Sequence, residues 1–84
     1  MPMKPDLIKQ LAYSYTAALA ASEHGIPNGH LYAQVAMPLD ANIDEHNAAL
    51  EVLKEAGLIS EEYYLLTWTG GEELAKQINA AMEA

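Results

Sequence analysis

The sequence of 84 residues contains no cysteine, no arginine and no phenylalanine. Without cysteine the chain has neither a disulfide framework nor a thiolate zinc site, which is consistent with a reducing compartment. Basic residues are scarce as well, because four lysines stand against twelve acidic residues and leave a formal net charge of −8. A surface with this balance repels nucleic acids and anionic membranes.

Long apolar runs are also missing. No stretch approaches the roughly 20 apolar residues that a membrane helix needs, and the first residues lack the apolar run of a signal peptide. We therefore expect a cytoplasmic protein with no membrane partner. A chain of 84 residues is expected to form one domain, 1–84, with a core small enough to favour a partner subunit.

One stretch in the middle of the sequence carries the clearest signals for a helix. Asn42 and Glu45 have the spacing of a capping box, which predicts the start of the helix. Gly57 predicts its end, with Leu58 folding back onto Leu53 in the manner of a glycine-terminated helix. Both ends of this third helix are therefore predicted from local sequence.

The predicted third helix has one apolar face and one acidic face. Its buried face is expected to contain Ile43, His46, Leu50 and Leu53. The opposite face is formed by residues spaced at i, i+4, i+7 and i+11, which are Asp44, Ala48, Glu51 and Glu55. We call this second set the acidic face.

The segment before the third helix predicts two further helices. The first, 5–24, has an apolar stripe made of Leu7, Ile8, Leu11, Tyr15, Ala18, Leu19 and Ser22. Its other side is only weakly polar and contains Tyr13, Thr16, Ala17 and Ala20. Two interpretations remain open: alanine stands there simply because it forms helices well, or this side is a second contact surface such as a dimer interface.

The first helix is expected to stop at Gly25, in the left-handed conformation that glycine adopts at helix ends. Asn28 is expected to cap a short second helix, 29–36. Since Met37 precedes Pro38, it should leave the helical region and begin the connection to the third helix.

A hairpin and a last helix are predicted after Gly57. The hairpin consists of Leu58 and Ile59, a turn over 60–62, and a strand over 63–68. Alternation places Tyr64, Leu66 and Trp68 on one side, and Trp68 with one tyrosine is expected to seal the hairpin against the last helix. Thr69 and Glu72 have capping-box spacing and open that helix, 70–82. Its inward stripe is expected to contain Leu74, Ala75, Ile78, Ala81 and Met82.

The order helix, helix, helix, hairpin, helix resembles a winged helix-turn-helix domain. The string LKEAGLI followed by YYLLTWTGGEEL is similar to the end of many small bacterial and phage proteins of this type. It also resembles an uncharacterised family whose tail is matched here by Leu66, Thr67, Trp68, Gly70, Glu72 and Leu74. The resemblance covers about residues 43–78. It implies a mostly α fold (α+β) with a three-helix core, a two-stranded antiparallel wing and a C-terminal helix.

In winged-helix proteins the third helix enters the DNA major groove, and basic side chains of the wing contact the backbone. The resemblance would turn toward the duplex Asp44, Asn47, Ala48, Glu51 and Glu55, and would place at the wing tip Ser60, Glu61 and Glu62. Lys54 is the only fixed cation in this region. Because lysine and arginine contacts to phosphate supply most non-specific affinity, these carboxylates argue against DNA.

The leading hypothesis is therefore a small acidic module that works by protein contact, as a regulatory adaptor or as a homodimer through its first or last helix. Its predicted partner-binding residues are Asp44, Ala48, Glu51, Glu55, Glu61, Glu62, Tyr63 and Tyr64. The alternative is a DNA-binding transcriptional regulator that uses Asn47 and Lys54 in the major groove.

Residues with other chemistry give weaker signals. His24, His30 and His46 lack the cysteine partners or the i, i+4 pairing of a metal site, and His46 is expected to be a satisfied core histidine. No nucleophile motif surrounds the serines. Acidic residues directly after the glycine pair 70–71 disfavour phosphate at that helix start. The sequence thus predicts no metal, no cofactor and no catalysis.

Overall fold

The computed structural model describes residues 4–83, and within them it contains four helical segments and three strands. In chain order these are α1 (Pro5–Ala20), β1 (Ile26–Pro27), α2 (Asn28–Leu31, continued by a π-helical turn, Tyr32–Ala36), α3 (Ile43–Glu55), β2 (Ile59–Glu62), β3 (Leu65–Trp68) and α4 (Glu72–Glu83). The domain is compact, mostly helical and of the α+β class.

The core lies where α1 packs against α3, α4 and the sheet. From α1 it takes a stripe spaced by one helical turn, Leu11, Tyr15 and Leu19, all fully buried. Its other members come from α2 with its π-helical turn, the connection before α3, α3 itself, β2 and β3: Leu31, Ala36, Ala41, Ala49, Leu50, Leu53, Ile59 and Leu66.

Helix α1 is shorter than predicted, since it ends at Ala20 and not at residue 24. Gly25 has the expected positive φ of 84° but lies beyond the helix end, where a Cβ atom would stand 2.5 Å from the backbone oxygen of Leu66. The glycine therefore permits the close approach of β3. Thr16 was expected on the open side of α1, yet it is buried, and its hydroxyl donates to the Ala12 carbonyl at 2.7 Å.

Helix α2 begins one residue earlier than predicted and ends in a π-helical turn, in which the Met37 N–H donates to the Tyr32 carbonyl at 3.0 Å. The predicted cap at Asn28 is wrong, because Asn28 is the first helical residue and its side chain bonds elsewhere. Met37 also keeps helical angles, φ −61° and ψ −46°, despite the proline that follows.

Helix α3 has both predicted ends. Asn42 Oδ1 accepts from the Glu45 N–H at 2.8 Å, and Glu45 Oε1 accepts from the Asn42 N–H at 3.0 Å. At the other end Gly57 has a φ of 74°, and the Leu58 N–H donates to the Leu53 carbonyl at 3.0 Å. These are the capping box and the glycine-terminated end that the sequence predicted.

The buried face of α3 matches the prediction at His46, Leu50 and Leu53 but not at Ile43, which is 51% exposed. At about 100° per residue, Ile43 lies about 90° from the centre of the buried arc. Glu45, within that arc, is buried instead.

The sheet has three antiparallel strands in the order β1-β3-β2, so the prediction of two strands was wrong. The predicted turn at 60–62 was also wrong, because these residues belong to β2 and the turn is Tyr63–Tyr64. Pairing of Ile59 with Trp68 places the inward side chains of both strands on one face. Leu66 and Trp68 do share a side as predicted, whereas Tyr64 lies outside the strand.

Helix α4 begins at Glu72, without the predicted capping box. The Thr69 hydroxyl donates instead to the Gly57 carbonyl at 3.0 Å. Ala75 is buried, but Ala81 is exposed, contrary to prediction. The side chain of Met82 lies outside the described part of the structure.

Candidate interaction surface and its internal support

The acidic face of α3 points to solvent. Asp44, Glu51 and Glu55 are exposed and Ala48 is half-buried, on the side of the helix opposite the buried His46. The exposure expected for these carboxylates is confirmed, and their role in binding stays a prediction.

Lys54, the one lysine of α3, is held in an ion pair. Its Nζ lies 2.7 Å from Glu61 Oε1, with both side chains largely shielded, at 34% and 22% exposed. The other oxygen of Glu61 accepts from Asn28 Nδ2 at 2.8 Å. The hydrogen bonds from Lys54 and Asn28 lower the pKa of Glu61. Glu61 therefore faces inward, unlike the other carboxylates predicted to bind a partner. Because Lys54 is paired with it, Lys54 offers little free charge to a phosphate.

His46 is fully buried, with no exposed surface. Its Nδ1 lies 2.6 Å from the Tyr15 hydroxyl, and its Nε2 lies 2.6 Å from Asn28 Oδ1. The rings of Tyr15 and Tyr32 meet it edge-on, with centroids at 5.3 and 5.1 Å. Burial lowers the pKa of His46. As predicted, it is a satisfied core histidine.

Hydrogen-bond chemistry fixes the direction of donation through these residues. The Asn28 amide NH₂ must donate to the Glu61 carboxylate, so Asn28 Oδ1 accepts from His46 Nε2–H. His46 Nδ1 is then the acceptor for the Tyr15 hydroxyl. Burial, with a smaller contribution from Tyr32, raises the pKa of Tyr15 and keeps that hydroxyl protonated. We call the five linked residues the internal network: Tyr15, His46, Asn28, Glu61 and Lys54.

The internal network joins α1, α2, α3 and β2, and sequence reasoning missed it. Asn28 stands 18 residues from His46 and 33 residues from Glu61, so no local spacing links them. A histidine on a predicted core face, opposite a tyrosine on another apolar stripe, was the one signal present. Among the described residues no buried side-chain polar atom lacks a hydrogen-bond partner.

The hairpin tip, Tyr63 and Tyr64, is the most exposed aromatic surface of the domain. The side chains are 95% and 80% exposed, and both residues have positive φ, 52° and 66°. Two successive left-handed residues form the two-residue hairpin loop that favours asparagine and glycine. The Asn28 N–H donates to the Tyr64 carbonyl at 2.7 Å and holds the tip backbone in place.

The predicted contact of one tyrosine with the last helix is therefore wrong. Trp68 does reach that helix, because its Nε1–H donates to the Gly71 carbonyl at 2.8 Å. Its ring covers Gly70, where a Cβ atom would lie 2.5 Å from a ring carbon. Of the hairpin aromatics, the tryptophan lies at this junction, and both tyrosines are left for solvent.

One row of side chains crosses the outer face of the sheet beside the hairpin tip. Glu62 pairs with Leu65, and Leu65 pairs with Pro27 of β1. Directly paired residues share a face of a sheet, and all three are exposed, Leu65 at 37%. The tip is thus continued by an apolar row that ends in a carboxylate.

The two residues predicted to contact DNA, Asn47 and Lys54, differ in how available they are. Asn47 is exposed on α3, whereas Lys54 is already paired.

His24 is solvent-exposed and only 4.0 Å from its neighbour Glu23. Among the side chains that the structure describes, no group of three histidine or acidic residues could hold a metal ion. No helix in the described part of the chain is long and apolar enough to cross a membrane.

Comparisons with known proteins give no match among family models, curated proteins or solved structures.

Proposed function

We propose that this chain is a winged helix-turn-helix domain of the small bacterial or phage type that acts through protein contacts and carries out no catalysis. Its role would be that of a regulatory adaptor or a homodimer. The order of α1, α2 and α3, followed by a hairpin, supports the fold assignment. The observation that carries the function is the negative outward face of α3.

In a winged-helix domain that face would meet the major groove. Here it presents Asp44, Glu51 and Glu55 to solvent, and the neighbouring Lys54 is engaged by Glu61 at 2.7 Å. Each carboxylate would add repulsion close to the phosphates, where binding requires cations. The same face is complementary to a protein surface that carries lysine or arginine.

One observation favours the alternative, DNA binding. Asn47 is exposed on α3, and an asparagine amide can form a bidentate pair with an adenine edge. That contact would recognise a base, but it would lack the phosphate contacts that normally position a protein on the duplex.

Binding to random duplex DNA separates the two functions. The adaptor function predicts no binding even at about 50 mM salt, where phosphate contacts are strongest. Binding at that salt concentration that disappears by about 200 mM would show phosphate contacts and support the DNA-binding alternative. Mass in solution, recorded in the same samples, distinguishes a homodimer from a monomer.

A cationic probe tests the acidic face directly. We expect Glu51→Gln with Glu55→Gln to weaken binding of a lysine-rich peptide about tenfold, since two surface ion pairs are lost. The matched control is Glu72→Gln with Glu73→Gln, which removes the same charge from exposed positions on α4. Equal weakening by both double variants would mean that only net charge matters, and the assignment to α3 would fail.

A further inference from the structure

The two residues of the hairpin tip contribute little to the stability of the fold. Both have positive φ, 52° and 66°, a conformation that side chains with a Cβ atom rarely adopt. Both side chains are almost fully in solvent, so no internal packing compensates for the strain. Asparagine and glycine would form the same turn without that cost. Strained residues of this kind cluster at functional sites.

The surroundings of the tip indicate the chemistry of its partner. Glu62 is exposed directly beside Tyr63, and Leu65 and Pro27 extend an apolar strip across the sheet. Aromatic faces next to a carboxylate favour a planar cation, which can stack on a ring and form an ion pair with the carboxylate at the same time. Arginine meets both conditions, because its guanidinium group is planar, weakly hydrated and able to pair with a carboxylate through two hydrogen bonds.

We propose that the hairpin tip binds an arginine-bearing segment of a partner protein, with a guanidinium group stacked on Tyr63 or Tyr64 and paired with Glu62. This rests on the proposed function, contact with a protein, and names the partner's chemistry. A second copy of this chain does not fit the site, because the sequence contains no arginine and carries a net charge of −8. The hydrogen bond from Asn28 to the Tyr64 carbonyl keeps the tip ordered before binding.

Two peptides of equal length and charge, one with arginine and one with lysine as its cation, test the proposal. We expect the arginine peptide to bind at least about threefold more tightly, because a planar guanidinium both stacks on an exposed ring and pairs with a carboxylate through two hydrogen bonds. Tyr63→Asn with Tyr64→Gly should abolish this preference and raise the midpoint of thermal unfolding. Tyr63→Phe with Tyr64→Phe should keep the preference, because phenylalanine retains the aromatic face.

The matched control is Tyr13→Ala, which removes an exposed tyrosine from α1 and should leave the preference for arginine intact. Equal affinity of the unaltered protein for both peptides would overturn the proposal and leave the function of the acidic face standing. No binding of either peptide would overturn both. A preference that survives Tyr63→Asn with Tyr64→Gly, or that disappears in Tyr13→Ala, would also overturn it.

Discussion

At the scale of single residues, His46 shows how a polar group is accommodated in so small a core. Both ring nitrogens are bonded at 2.6 Å, to Tyr15 and Asn28, and the ring is fully buried. The arrangement favours the neutral ring, in which Nδ1 accepts from the tyrosine hydroxyl. Protonation would make Nδ1 a donor, so the Tyr15 hydroxyl would have to accept and its own hydrogen would lose its acceptor. The protonation state of His46 therefore affects the stability of the fold.

We expect the free energy of unfolding to fall as the pH decreases below about 6.5, the ordinary pKa of histidine. Burial lowers the pKa of His46 in the folded state, although the negative charge of Glu61 partly opposes this and Lys54 reinforces it. The unfolded chain therefore binds the proton first, and stability is lost until the folded histidine is protonated too. The slope cannot exceed about 1.4 kcal/mol per pH unit for one proton.

Urea unfolding at several pH values between about 7.5 and 5.5 measures this slope. His24→Gln is the control, because the His24 side chain is 93% exposed and its loss should leave the slope unchanged. His46→Gln should lower stability at neutral pH and flatten the profile. A slope that persists in His46→Gln would assign the dependence to another group.

At the scale of elements, the two ends of α3 and the hairpin loop explain what the sequence could and could not predict. Both ends of α3 are encoded within four residues, by Asn42 with Glu45 and by Gly57 with Leu58. The loop is encoded by pairing across the sheet. The inward placement of Ile59 and Leu66 fixes the register, and this register forces the turn onto two tyrosines despite the turn-forming residues just before them.

The same reasoning explains the missed third strand and the incomplete prediction of the site. Strand β1 has only two residues. Ile26 pairs with Leu66, 40 residues later in the chain, and Pro27 pairs with Leu65, 38 residues later. Helical periodicity predicted the acidic face correctly as an exposed surface. It could not show that Glu61 turns inward to Lys54 and Asn28, because that depends on how β2 lies against α3 and α2.

Two glycines provide a matched test of helix geometry. Gly57→Ala should destabilise the domain by about 1–2 kcal/mol, because a φ of 74° is costly for alanine. Gly29→Ala, within α2, should stabilise it by about 0.5 kcal/mol through higher helix propensity. A Cβ atom at either position meets no atom within 4 Å, so steric clash does not distinguish them. Equal effects in chemical denaturation would contradict this account of the end of α3.

At the scale of the whole molecule, a charge of one sign dominates. The formal net charge is −8, and in the described part of the chain the ion pair with close geometry is Lys54 with Glu61 at 2.7 Å. Repulsion among exposed carboxylates is long-range and opposes the compact state. The attraction within the ion pair is short-range and less affected by salt because both groups are shielded.

We therefore expect sodium chloride to raise the midpoint of thermal unfolding, since screening removes more repulsion than attraction. Between about 50 mM and 500 mM salt the screening length falls from more than 10 Å to less than 8 Å. A gain of 1 kcal/mol corresponds to about 4–8 °C in a domain of this size. Glu51→Gln with Glu55→Gln, which removes two negative charges from exposed positions on α3, should start with a higher midpoint and respond less to salt. A midpoint that falls with added salt would instead mean that the Lys54–Glu61 pair outweighs the repulsion of the whole surface.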